Sequence, residues 1–131
     1  MANDLRGEAE IVLDGATFGM RPTYEAIVAV ETATGASIAS MAMAGANVRL
    51  PLGWVATIVT EFVRAWGKAN GNQVAANLAV DRVGGLIMDS GIVAAQLTIA
   101  KIMNAAVTGG YTSQGEAKAT GSQTTAPSTA A

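Results

Sequence analysis

Between Leu52 and Lys68 the apolar residues Val55, Ile58, Val59, Phe62, Val63 and Trp66 each have another of the set three or four positions away. Thr57, Thr60, Glu61, Arg64 and Lys68 fall opposite them. That spacing is the period of an α-helix with one apolar stripe, which is stable only when the stripe is buried against another layer. The rest of the chain therefore has to supply a partner surface for this helix.

The segments on either side read as smaller elements. From Gly7 to Leu13 the residues alternate, with Ala9, Ile11 and Leu13 on one side and Glu8, Glu10 and Val12 on the other, the pattern of a half-buried strand. Asp14-Gly15 follows, a dipeptide suited to the type I′ turn because both central positions need positive φ. The return strand Ala16 to Arg21 places Phe18 and Met20 on one face. Pro22 ends the strand, Thr23 can cap a helix, and Tyr24 to Thr34 continues as a helix until Gly35. A short helix over Ser37 to Ala44 is expected next, with Met41 and Met43 serving either as gap fillers or as an adaptable surface.

Beyond the central helix, Asn70-Gly71-Asn72 breaks the pattern and Gln73 to Asp89 resumes it. Gly84-Gly85 should each cost about 1 kcal/mol relative to alanine there, which makes that pair the place where the run could split in two. Gly91 introduces a last helix from Ile92 to Thr108, closed by Gly109-Gly110. The final stretch holds one aromatic residue, Tyr111, and no larger aliphatic side chain, so it reads as a disordered low-complexity tail. The expectation is an α+β, mainly α fold: an N-terminal β-hairpin, then four to five helices. It divides the chain into a flexible start at 1–6, one domain over 7–109 and a tail over 110–131. A core of about 100 residues needs no staple to fold.

Composition removes several kinds of function. The chain has no cysteine and no histidine, which excludes disulfide scaffolds, thiolate nucleophiles, imidazole bases and ordinary zinc sites. A net charge of −2, spread over 14% charged residues without a run of either sign, gives no electrostatic footprint for nucleic acid or an anionic membrane. The apolar stretch Ile92 to Val107 is interrupted by Gln96, Lys101 and Asn104 and falls short of the roughly 20 apolar residues a bilayer span needs, so it reads as a core helix. The polar start Met-Ala-Asn-Asp-Leu-Arg lacks the pattern of a secretory leader, which makes a cytoplasmic protein the expectation.

Catalytic and ligand motifs fail on inspection. Gly67-Lys68 has Phe62 where a phosphate loop needs glycine and Ala69 where it needs serine or threonine. Glu8 with Glu10, and Asp81 with Asp89, are the carboxylate pairs nearest to an acid/base arrangement, and each reads as a solvated face. No catalytic, cofactor-binding or metal-binding residue is assigned, and no cofactor is expected. Trp54 and Trp66 lie on different sides of one helix, so either both pack in the core or one is an interface anchor. Glu61 and Arg64 form an ordinary surface pair at i, i+3.

The Asp14-Gly15 turn, the Arg21-Pro22-Thr23 exit and the helix carrying Glu31 before Gly35 together resemble the start of a family of small tail proteins. These are encoded by gene transfer agents and related tailed phages and are classed among the tail assembly chaperones. The likeness continues through the amphipathic helix Val55 to Gly71 and through Asp81 to Ala95, and ends near Gly109. The chain departs from the pattern at Gly84-Gly85, where a charged second residue is expected, and in its Thr/Ser/Ala-rich tail. The resemblance implies a non-enzymatic protein that engages the tape measure protein and tail tube subunits, with self-association open, in the cytoplasm of the host or producing bacterial cell. Members are also labelled tail tube proteins, which implies as the alternative a structural component of the virion tail. For a chaperone that offers a groove to amphipathic helices, Tyr24, Phe62 and Trp66 are the expected partner-binding anchors.

Overall fold

The computed structural model describes residues 9–118. It is mainly helical, with an N-terminal two-stranded antiparallel hairpin followed by six helices. Strands β1 (Ala9–Leu13) and β2 (Ala16–Met20) precede helices α1 (Tyr24–Thr34), α2 (Ile38–Ala46), α3 (Leu52–Asn70), α4 (Gln73–Ala76), α5 (Val80–Ser90) and α6 (Ile92–Val107). Among the described residues no single helix is long and apolar enough to cross a membrane. The start at 1–6 expected to be flexible, Glu8, and the tail from residue 119 onward lie outside the described residues.

The hairpin follows from its turn. Asp14 and Gly15 take φ of 52° and 76°, the paired positive values of a type I′ connection, so Leu13 faces Ala16 and Ile11 faces Phe18. Ile11, Leu13, Phe18 and Met20 point into the core while Val12 stays exposed. The chain leaves β2 through Pro22, and the Thr23 hydroxyl accepts the Ala26 N–H at 3.0 Å to start α1, which Gly35 ends in the left-handed conformation.

Helix α3 is the hub. Its stripe packs against β2, α1, α4, α5 and α6, and Val55, Ile58, Val59, Phe62 and Val63 are fully buried. Thr60, expected opposite that stripe, is also fully buried. Its hydroxyl donates to the Ala56 carbonyl at 2.6 Å, which satisfies the polar group and lets the threonine pack as a small apolar residue. Two contacts against α3 are close enough to require glycine. A Cβ on Gly19 would sit 2.2 Å from the Trp66 indole, and one on Gly67 would sit 2.4 Å from the Ala76 backbone nitrogen.

Two expectations are corrected here. The helical run from Gln73 breaks at Asn77-Leu78-Ala79, not at Gly84-Gly85, which raises the helix count from the expected four or five to six. Arg64 explains the position: its Nε donates to the Leu78 carbonyl at 2.7 Å and turns the chain there. Gly84 instead lies against Ala56 of α3, where an added Cβ would be in contact at 3.4 Å, so tertiary packing carries α5 through the glycine pair.

The second correction concerns the tail, whose first part is ordered. Tyr111 bridges Ala117, the Thr112 N–H donates to Glu116 at 2.8 Å, and the Tyr24 N–H donates to the Ser113 carbonyl at 2.9 Å. Gly115 is buried over Arg21 and Thr23. Backbone hydrogen bonds hold this turn, so a judgement based on apolar side-chain content could not detect it.

Candidate protein-binding face

Helices α2 and α6 pack on each other more extensively than any other pair of elements. The close approach comes from small residues. A Cβ on Gly45 would stand 3.1 Å from the Cβ of Ala100 and 3.2 Å from Cδ1 of Leu50, and Ala42 and Ala100 are both buried. Helix α2 is held at its start by two caps: Ser37 Oγ accepts the Ser40 N–H at 3.1 Å, and Glu31 of α1 accepts the Ile38 N–H at 2.9 Å.

The chain then turns through Val48, a β-branched residue at φ 55°, and reaches Leu50. Here Gln96 of α6 acts as a substitute strand. Its buried amide oxygen accepts the Leu50 N–H and its amide nitrogen donates to the Leu50 carbonyl, so neither backbone group of buried Leu50 is left bare. The sequence marked Gln96 only as an interruption of an apolar run. In the structure it locks the α2–α3 connection to α6.

On the side away from the core this helix pair leaves an open groove of about 700 Å³. Its floor is Ala42 and Ala100, and its walls include Met43, which is 71% exposed, Leu97 at 42% and Val107 at 39%. Among the described residues, Lys101 is the only charged one lining it. Such a surface can hold an apolar ridge and bring one positive charge to its edge, and it contains no pair of groups for proton transfer. A second hollow, of about 500 Å³ and mixed charge, is lined by Arg21, Glu25 and Lys68 and includes Tyr24.

The three residues expected as partner anchors are not brought together at the surface. Phe62 is fully buried and Trp66 is 3% exposed, both held in the core by α3, whereas Tyr24 is 71% exposed at the start of α1. Trp66 belongs to the core because its indole lies over Gly19, while Trp54 is partly buried against the core. The two methionines divide: Met41 fills the core at 1% exposure and Met43 stands on the groove. Asp81 and Asp89 are both exposed, and among the described residues no three acidic, cysteine or histidine side chains cluster as metal ligands would.

Sequence reasoning offered Met43, with Met41, as an adaptable surface beside a gap-filling role, and missed the groove residues Ala39, Leu97 and Val107. A signal was available: α2 carries no charged residue and α6 carries only Lys101, yet neither has room to bury its whole circumference. Compared with protein-family models, with curated proteins and with solved structures, the chain finds no match.

Proposed function

We propose that this chain is a non-enzymatic tail assembly chaperone of a tailed phage or gene transfer agent, which holds tape measure and tail tube proteins while the tail is built. The observation that carries this reading is the open, nearly uncharged groove between α2 and α6, whose shape and lining suit the apolar face of an amphipathic helix. The likeness of Gly7 to Gly109 to that family supplies the biological setting, the cytoplasm of the host or producing cell.

The alternative is a structural component of the virion tail. A tube wall is built from sheets that join into a ring, and among the described residues the sheet content is one two-stranded hairpin. That favours a helix-binding chaperone over a tube subunit. The test is a pull-down of the purified chain against the tape measure and major tail proteins encoded beside it, with mass spectrometry of purified particles. Capture in solution with absence from the particle is the expected result. Stoichiometric presence in the particle, or failure to capture either protein, overturns the proposal.

A further inference from the structure

Along the α2–α6 groove the backbone N–H and carbonyl groups of both helices are spent on intrahelical bonds, so the walls offer side chains only. An extended segment laid there would leave its own backbone groups bare against Ala39, Ala42 and Ala100, whereas a helix has already satisfied its own. The alanine floor leaves the room for large side chains to the occupant. The apolar wall on α6 also runs past the groove: Val93, one turn before Leu97 on the same face, is 55% exposed. From Val93 to Val107 this face covers about 21 Å, close to four helical turns. Its charge has one sign. Lys101 stands near the middle, α2 carries no charged residue and α6 carries no other. Lys101 also borders a hollow that Glu10 shares, yet among the described residues no carboxylate forms an ion pair with it.

We propose that the groove takes an acidic amphipathic helix of a different protein, about four turns long. Its apolar ridge lies on the alanine floor and over Val93, and a carboxylate beside the middle of that ridge meets Lys101. The proposal rests on the reading of the groove as a helix-binding face and names the chemistry of what enters it. A second copy of this chain fits less well, because away from the groove face each described helix exposes at most two large apolar side chains: Tyr24 and Val28 on α1, Val74 on α4 and Met88 on α5. A ridge of four turns needs more than that. An ion pair at the rim of an apolar contact adds little affinity by itself, but a like charge brought to the same place opposes binding, so Lys101 sets which helices are accepted.

The probes are three synthetic amphipathic helices of about four turns, identical except for glutamate, glutamine or lysine beside the middle of a leucine ridge. Each is titrated against the full chain by fluorescence anisotropy at low salt. The glutamate helix should bind about threefold more tightly than the glutamine helix and about tenfold more tightly than the lysine helix. Lys101→Glu should invert that order. Val93→Asp should weaken all three about fivefold, and neither variant should move the thermal midpoint, since both positions are exposed. Equal affinity for the three helices, an order that Lys101→Glu leaves in place, or a natural chain that pairs with itself through this face and takes up none of them, overturns the inference. Capture of the tape measure protein is scored separately: capture without charge order removes this inference and keeps the chaperone reading, and charge order without capture does the reverse.

Discussion

Helix α3 and the α2–α6 pair are both rich in apolar residues, yet they use that content differently. Along α3 the apolar residues form one stripe, charged residues take the other side, and the stripe is enclosed by β2, α1, α4, α5 and α6. Helices α2 and α6 have no such division. They bury Met41, Ile99 and Met103 on one side and leave Met43, Leu97 and Val107 open on the other. An amphipathic stripe marks a helix whose needs are met within the fold. Apolar residues all round a helix at the molecular surface mark one with a face to spare.

That contrast can be broken at either end. The largest effect is expected at Phe62→Ala, which empties the middle of the α3 hub and should cost about 4 kcal/mol in urea unfolding, whereas removal of an open-face side chain should cost under about 0.5 kcal/mol. Gln96→Ala comes next. It strips the partner from the Leu50 N–H and carbonyl, and a loss of about 2 kcal/mol is expected, with Gln96→Leu no better because the loop groups stay bare. The smallest effect has the opposite sign. A Cβ on Gly85 meets nothing within 4 Å, so Gly85→Ala should raise stability by up to about 1 kcal/mol, read as a higher thermal midpoint.

The legible parts of this fold were those in which local chemistry and tertiary need agree. Asp14-Gly15, Pro22 with Thr23, the α3 stripe and the glycines after α1 and α3 each state their conformation within a few residues. The break before α5 was not legible because a side chain fourteen residues earlier, Arg64, takes the Leu78 carbonyl. The ordered turn over 110–118 was hidden for a related reason, since backbone groups of α1 and of the turn itself hold it.

For the candidate site, aromatic residues drew attention to Phe62 and Trp66, which the α3 stripe had already committed to the core. The groove is lined by alanines, together with Met43, Leu97, Val107, Lys101 and Asn104, and its position depends on the close approach of Gly45 to Ala100, which no periodicity reveals.

The most direct measurement is calorimetric titration of the tape measure protein into the natural chain and into the double variant Met43→Asp, Leu97→Asp, with the unfolding midpoint of each recorded. Binding is expected to weaken at least about tenfold while the midpoint stays within a few degrees, because both side chains lie on the open face. Undiminished binding by a folded double variant would contradict it and move the partner to another surface.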